Sequence, residues 1–451
     1  MNGPISKDIP STSRPRCTQQ APSTARTFLF LQSHPSFFGR DVIQHMRGLG
    51  QTCHVVNLYL GDWWFRLGTG AVNYTGSLDD WPTWLERLID RHGITDIVYY
   101  ADQRPYHRIA RRIARARGLD CTAYEFGYLR PDFITLERGG MGPFSHFPND
   151  PDDVERLAAD LPDDMPEGYF PYGFADEAVN EVSYHLLPWF LPFLFPRYQR
   201  DRLYSPLTEY LSYIPKLLSK PRRTREADQV IATRCAADVP FFTVIMQMQG
   251  DYQVRRAAAY PHLDDMINEI LASFAAHAPE DARLVFKMHP LENAVERRPR
   301  NIRRAAAAHG LAARIDVIDG GDLARLYDGT SGIVLLNSTA GLTGVLHGVP
   351  VKTLGIAIYD MPRLTHQGPL DSFWKSPQRP DARTAKAFRK LLTASIQVKG
   401  NFFTPAGRAA AVPEFARRLI QGDVNSHGAF VEPPPRLARA RAMGVPLTYE
   451  D

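Results

Sequence analysis

The alternation of short apolar segments with amphipathic ones constrains the fold of this chain most strongly. It begins at Thr27, where TFLFLQ predicts a buried strand, and it continues for about a hundred residues. The predicted strands are 27–32, 53–60, 94–100 and 119–127, and the predicted helices between them are 39–50, 81–93 and 104–118. Repeated strand–helix units with short apolar strands are typical of a parallel, doubly wound sheet.

A second series of the same kind begins at residue 240. Its predicted strands are 240–249, 282–288, 313–319, 332–337 and 349–355, with helices over 262–278 and 338–348. Two doubly wound halves facing a cleft form the GT-B-like arrangement, in which ligands bind at the carboxyl ends of the strands. The sequence therefore predicts an α/β, GT-B-like fold with two Rossmann-like domains.

The pattern divides the chain into five parts. We predict a disordered extension over 1–26, Rossmann-like domains over 27–150 and 231–380, a helical, aromatic-rich inter-domain segment over 151–230, and C-terminal helices and a tail over 381–451. The extension is rich in Ser, Thr and Pro and has no apolar signal core. The inter-domain segment has two interpretations: helices that pack on both domains, or an interfacial membrane patch or acceptor groove.

Composition excludes several classes of protein. A chain of 451 residues, 44% hydrophobic and 23% charged, is typical of a soluble two-domain protein, and no apolar run is long enough to span a bilayer. The four cysteines are scattered, which indicates a reducing cytoplasm. The net charge is only +4, but basic residues cluster at 220–225 and 297–304. These runs have two interpretations: solvated surface, or a surface that is attracted to anionic phospholipid. Nucleic acid is a weaker candidate, because no recognised nucleic-acid-binding module accompanies the charge.

The segment VFKMHPLE (285–292) ends a predicted strand in polar residues. Lys287 and His289 emerge at the carboxyl end of that strand, and Pro290 is predicted as the first residue of a helix. The free amides of a helix start bind anions, and the lysine and histidine add donors. This segment therefore predicts a phosphate site, although a histidine before a proline is also a common capping contact.

A second phosphate or ribose site is predicted at LLNSTAGLTG. Ser338 and Thr339 lie at the expected N-cap of a helix that follows another cleft-facing strand. Capping explains one hydroxyl, whereas Asn337 together with both hydroxyls indicates a ligand cradle. Gly341 is interpreted as permitting close approach of the ligand.

Two carboxylates are candidates for chemistry. Asp251 follows a buried strand in QMQGDYQVRR, and Glu125 ends a strand of the first series, with Arg130 nearby. Carboxylates from opposite domains flanking one cleft suit glycosyl transfer. Further cleft residues, predicted as substrate contacts, are Ser33, Gly39, Gln249, Arg256, His366 and Gln367. GxSxG, P-loop and HExxH motifs are absent, and the DxD-like 150–152 lies in an acidic loop, so no metal site is predicted.

With these residues assembled, the chain resembles the KpsS/LipB family of capsule polysaccharide biosynthesis (export) proteins. The resemblance runs from about Thr27 to Trp374. Its carriers are FLFLQSHPSFFGRD, EFGYLRPDFITLE, QGDYQVR, LVFKMHPLE, NSTAGLTGVLHGVPVKTLGIAIYD and LTHQGPLDSFW.

The resemblance implies a retaining β-Kdo transferase of GT-B form that uses CMP-Kdo and needs no metal or other cofactor. It places the acceptor on domain 27–150 and the nucleotide sugar on domain 231–380. His289 and Pro290 with Ser338 and Thr339 would bind CMP, Asp251 would be the nucleophile, and Glu125 would be the base. The implied acceptor is phosphatidylglycerol at the inner face of the cytoplasmic membrane.

We therefore expect a cytoplasmic, peripheral enzyme that moves Kdo from CMP-Kdo to a lipid or glycolipid, in association with the capsule machinery. Two alternatives remain open at this point. One is a GT-B enzyme that uses another nucleotide sugar. The other is a non-catalytic capsule export adaptor that binds glycolipid without turning it over.

Overall fold

The computed structural model describes residues 26–163, 165–199, 203–292 and 295–447. The extension predicted over 1–26 therefore lies outside the described residues, apart from Arg26. Arg26 pairs with Asp96 and Asp120 at the start of the first sheet. Within the described ranges, no helix is both long and apolar enough to cross a membrane.

Short strands, most of them buried, supply the frame of the molecule. They are β1 (Thr27–Phe30), β2 (Thr52–Asn57), β3 (Val72–Asn73), β4 (Asp96–Tyr100), β5 (Asp120–Phe126), β6 (Phe133–Arg138), β7 (Phe241–Ile245), β8 (Arg283–Lys287), β9 (Ile315–Ile318), β10 (Gly332–Leu335), β11 (Val351–Thr353) and β12 (Gln397–Lys399).

Helices cover these strands. They are α1 (Phe38–Gly48), α2 (Leu60–Phe65), α3 (Trp81–His92), α4 (Pro105–Ala116), α5 (Pro151–Leu157), α6 (Phe174–Phe190), α7 (Pro206–Leu218), α8 (Lys220–Ala236), α9 (Tyr252–Arg256), α10 (Leu263–His277), α11 (Arg298–Ala308), α12 (Leu323–Gly329), α13 (Thr339–Leu346), α14 (Leu370–Phe373), α15 (Ala382–Ile396), α16 (Pro405–Gln421) and α17 (Leu437–Ala442).

The first sheet has seven strands in the order β12-β6-β5-β4-β1-β2-β3. Strands β1 to β5 are parallel, with Phe30 opposite both Val55 and Val98. β6 runs antiparallel to β5, and β12 runs antiparallel to β6. The strand order reverses beside β1, so the polar loop after β1 opens at a topological switch point, where open sheets bind ligands.

The second sheet has five parallel strands in the order β11-β10-β7-β8-β9. Leu335 of β10 is opposite Ile245 of β7, which is in turn opposite Lys287 of β8. The segments that follow these three strands therefore emerge side by side at one edge. Two doubly wound sheets confirm the predicted α/β, GT-B-like fold class.

The segment after residue 381 returns to the first sheet. α15 leads into β12, whose Val398 pairs with Ile134 of β6, and α16 then packs against α1. Phe415 of α16 lies in the same core as Phe38 of α1, with ring centroids 5.2 Å apart. The C-terminal helices thus complete the core of the N-terminal sheet.

The inter-domain helices pack on both halves, which is one of the two interpretations of segment 151–230. α6 packs on α2, where the Tyr184 hydroxyl donates to Asp62 at 2.8 Å. A Cβ on Gly61 would overlap the Tyr184 ring, so glycine is required for this contact. α8 packs on α12 of the second half, around buried Ala227 and Ile231.

Candidate active site

Polar residues converge where β7, β8 and β10 end. Gln247 follows β7, His289 follows β8 and Asn337 follows β10. The Gln247 amide donates to the Asn337 Oδ1 at 2.9 Å and accepts from the Asn337 N–H at 3.1 Å. This double hydrogen bond fixes the end of β10 beside the end of β7. Gln247 was not predicted as a site residue, although a polar residue directly after a buried strand is a usable signal.

His289 lies in a tight turn instead of at a helix start. The N–H of Glu292 donates to the His289 carbonyl at 3.0 Å, and α11 begins only at Arg298. The prediction that Pro290 starts a helix was wrong: Pro290 lies in this turn, and the proline in the first turn of α11 is Pro299. Arg298 is buried and pairs with Glu292 at 3.2 Å, which holds the turn close to the helix that follows it.

The electrostatic surroundings keep His289 neutral. Burial lowers the pKa of His289 to about 4, and the positive charges of Lys216, Arg130 and Lys287 act in the same direction. Nδ1 accepts the Leu291 N–H at 3.1 Å. The proton of the neutral ring is therefore on Nε2, which makes that atom a hydrogen-bond donor.

Lys287 has a different environment from that predicted. Its ammonium donates to the carbonyls of Gly320 at 2.7 Å and Gly321 at 3.3 Å. Burial lowers its pKa. The lysine therefore holds the loop after β9, and its predicted contact with a phosphate stays a prediction.

Ser338 is the N-cap of α13, as predicted. Its Oγ accepts the Ala340 N–H at 3.3 Å, and Thr339 is the first residue of the helix. A Cβ on Gly341 would lie 2.2 Å from the Tyr359 hydroxyl, which itself donates to the Ser338 carbonyl at 2.5 Å. Gly341 is therefore needed for packing of Tyr359 beneath the helix start.

Asp251 precedes the short helix α9. It is half-buried, and its carbonyl accepts the N–H groups of Val254 at 3.1 Å and Arg255 at 3.0 Å. Gln249 is buried, and its side chain caps the next helix by accepting the Leu263 N–H at 2.8 Å. Arg256, half-buried, is the last residue of α9.

Glu125 and Arg130 come from the first domain. Glu125 is half-buried near the end of β5, opposite Thr135 of β6. The guanidinium of Arg130 lies 4.7 Å from the centroid of the Phe126 ring. The positive charge of Arg130 is one of those that lower the pKa of His289, after the larger effect of burial.

Ser33 and Gly39 organise the loop after β1. Ser33 is buried, and its hydroxyl accepts from the Arg66 guanidinium at 3.3 Å. A Cβ on Gly39 would lie 2.7 Å from the Ser33 side chain, so glycine lets α1 approach that serine. Their contacts account for the shape of the loop, and their binding of substrate stays a prediction.

His366 and Gln367 make their contacts within the loop that follows β11. The Nε2 of His366 is 2.8 Å from the Ser372 hydroxyl, and Gln367 donates to Asp360 at 3.3 Å. These side chains organise their own loop. The structure brings neither into contact with His289 or Ser338.

A cluster that the sequence did not predict lies over the end of β1. Gln32 donates to the Tyr184 hydroxyl at 3.1 Å and to the Tyr198 hydroxyl at 3.3 Å. These tyrosines belong to the inter-domain segment, so their pairing with Gln32 is not readable from local sequence. Within the described ranges, no three His, Cys, Asp or Glu side chains gather in a group that could hold a metal ion.

Comparison with known proteins shows which family the chain belongs to. The sequence profile described as "Capsule polysaccharide biosynthesis protein" matches residues 95–403. The chain belongs to this family. The matched range contains Glu125, Asp251, His289 and Ser338, together with β12.

Two relatives extend the match over most of the chain. Capsule polysaccharide export protein KpsS of Escherichia coli is 31% identical over 391 residues, covering 84% of this chain and 97% of that protein. Capsule polysaccharide modification protein LipB of Neisseria meningitidis serogroup B is 32% identical over 388 residues, covering 84% and 92%. Both agree with the family that the sequence motifs indicated.

Among solved structures, Thermosulfurimonas dismutans KpsC, beta Kdo 2,7 transferase, is similar at a TM-score of 0.39 and 13% identity. The match covers 87% of this chain and 98% of that one. The fold class itself rests on the two doubly wound sheets described above.

Proposed function

We propose that this capsule biosynthesis protein is a retaining glycosyltransferase that moves Kdo from CMP-Kdo to a lipid acceptor, phosphatidylglycerol. It acts without a metal ion, at the inner face of the cytoplasmic membrane, beside the capsule machinery. One observation carries the proposal: two groups that can bind a phosphate follow strands that end at the same sheet edge. They are the neutral His289, with Nε2 as a donor, and the capped start of α13.

The donor phosphate lies over the end of β7. His289 and Ser338 follow β8 and β10, the strands on either side of β7, and two strand spacings are about 10 Å. A phosphate midway is within reach of the His289 Nε2 and of the N–H groups at the start of α13. Lys216, Arg130 and Lys287 supply positive charge around it.

The carboxylates carry out the two displacements that retention requires. An oxygen of Asp251 attacks the anomeric carbon of Kdo, and the bond from that carbon to the phosphate oxygen of CMP breaks, with the electron pair leaving on CMP. Glu125 then takes the proton of the acceptor hydroxyl as its oxygen attacks the same carbon and releases Asp251. CMP leaves as a stabilised anion, so the first step needs no separate acid.

Product analysis tests this proposal. The protein is mixed with CMP-Kdo and phosphatidylglycerol, and released CMP and Kdo-bearing lipid are measured by chromatography and mass spectrometry. The proposal expects both products in equal amounts. Turnover of a uridine-linked sugar instead would indicate another donor, and lipid binding without CMP release would indicate an export adaptor.

A further inference from the structure

Helix α7 presents an apolar face to solvent. Leu211, Ile214 and Leu218 are 57%, 52% and 81% exposed. Their spacing of three and four residues places them along one stripe of the helix. A stripe of large apolar side chains normally faces a core, and here it faces outward.

The opposite face of α7 is polar and holds the turn that contains His289. The Tyr213 hydroxyl donates to the Leu291 carbonyl at 2.6 Å. The Lys216 ammonium donates to the Glu292 carbonyl at 2.7 Å and pairs with Asp319 at 3.3 Å. The helix thus has inverted amphipathicity, with its polar face packed on the protein and its apolar face free of the core.

Positive charge adjoins the apolar stripe. Lys220, Arg222 and Arg225 follow Leu218 at the exposed start of α8, and Arg222 also pairs with Glu226 at 2.7 Å. Arg223 is half-buried, pairs with Asp319 and donates to the Lys216 carbonyl. An apolar stripe flanked by exposed cations matches an anionic bilayer, where apolar side chains enter the interface and cations meet the headgroups.

We infer that α7 lies in the surface of an anionic bilayer and that this docking orders the turn 289–292. The inference rests on the proposed function, since a lipid acceptor requires the enzyme to work at a bilayer. Residues on one side of α7 contact lipid, while Tyr213 and Lys216 on the other side are positioning residues for His289. Fixing the helix in the interface restricts the backbone carbonyls that these two side chains bind, and hence the direction of the His289 ring.

Vesicle binding tests the docking surface. The triple variant Leu211→Ser, Ile214→Ser, Leu218→Ser is compared with a control that changes exposed apolar residues elsewhere, Leu49→Ser with Val72→Thr. On phosphatidylglycerol vesicles the triple variant binds at least about tenfold more weakly, because three apolar side chains no longer leave water. The control binds as the parent does.

Amide hydrogen exchange tests the coupling without nucleotide or turnover. Vesicles slow exchange at Leu291 and Glu292 by about threefold or more in the parent protein. Tyr213→Phe and Lys216→Met still bind vesicles but lose most of this protection. Because Tyr213→Phe removes one hydroxyl only, it keeps the test valid if Lys216→Met does not fold.

Three results would overturn the inference. Equal vesicle binding by the triple variant would remove the docking surface, and unchanged exchange in the turn would remove the coupling. Dissociation of a parent dimer by the triple variant, measured by sedimentation, would assign the stripe to a second copy of the chain. Failure to release CMP from CMP-Kdo contradicts only the proposed function, since neither measurement here depends on it.

Discussion

The Leu291 N–H donates to the Nδ1 of His289 at 3.1 Å, and this single contact decides what the histidine can do. A ring that accepts at Nδ1 and is neutral carries its proton on Nε2. The turn therefore both orients the ring and selects its tautomer. A phosphate oxygen that meets Nε2 receives a hydrogen bond without prior protonation of the histidine.

Replacing this donor weakens nucleotide binding. In His289→Ala, CMP affinity falls by about tenfold to a hundredfold, because a hydrogen bond to a charged group contributes roughly 1.5–3 kcal/mol. The measurement is the shift in melting temperature with CMP concentration. His347→Ala, an exposed histidine just after the other end of α13, is the control and keeps the full shift. If the parent protein shows a larger shift with UMP than with CMP, the donor assignment fails.

Two buried histidines make the fold sensitive to acid. Burial lowers the pKa of His34 and of His107 to about 3. Both pKa values lie below that of the unfolded chain, so the unfolded state binds more protons between about pH 6.5 and pH 3, and stability falls as the pH falls through that range. Each histidine lowers the free energy of unfolding by about 2 kcal/mol at pH 5 relative to pH 8.

Urea unfolding at pH 8 and pH 5 checks this expectation. His107→Phe loses the hydrogen bond from its Nδ1 to the Ala101 carbonyl, so its stability at pH 8 is lower. Its loss of stability between the two pH values is nevertheless about 2 kcal/mol smaller than that of the parent. The exposed His262, changed to Phe, is the control and leaves the pH dependence unchanged. Equal pH dependence in His107→Phe and the parent would show that His107 is not neutral in the fold.

The packing beneath the start of α13 leaves no room for a side chain at Gly341. Gly341→Ala places a Cβ against the Tyr359 hydroxyl and the Leu335 side chain, at 2.2 and 2.8 Å before relaxation. We expect a loss of about 1–3 kcal/mol of stability, with weaker CMP binding because the start of α13 moves. Adding Tyr359→Phe recovers part of the loss. Gly48→Ala, with open space around its Cβ, is the control and is neutral or stabilising in urea unfolding.

Sequence periodicity predicted the parallel strands well because each is a short, buried apolar run between polar turns. β1, β2, β7, β8 and β10 lie within their predicted ranges or within one residue of them. β6 and β12 were missed for a different reason. β12 has three residues, and its pairing with β6 joins positions more than 250 residues apart, which no local pattern encodes.

The sequence predicted the parts of the site that depend on local structure, but not those that depend on contacts with residues distant in the chain. Ser338 caps α13 as its sequence indicates. By contrast, Lys287 faces the carbonyls of Gly320 and Gly321, and the turn at His289 is held by Tyr213 and Lys216 of α7. Those partners come from distant parts of the chain, so residue type and spacing alone could not identify them.

Substitution of Asp251 and of Glu125 should block different steps of the proposed reaction. Glu125→Gln removes the base for the acceptor hydroxyl, so breakdown of the intermediate slows more than its formation. With CMP-Kdo, this variant accumulates protein heavier by one Kdo residue, and the label lies on a peptide that contains Asp251. Asp251→Asn still binds CMP, because the phosphate site is formed by other residues, but it gives neither adduct nor product.

Both outcomes are measured by mass spectrometry of the intact protein and of its peptides. The control is Asp238→Asn, which changes an exposed aspartate before β7 and is expected to behave as the parent does. Full activity in Asp251→Asn, or an adduct on another peptide, would end the assignment of Asp251 as nucleophile.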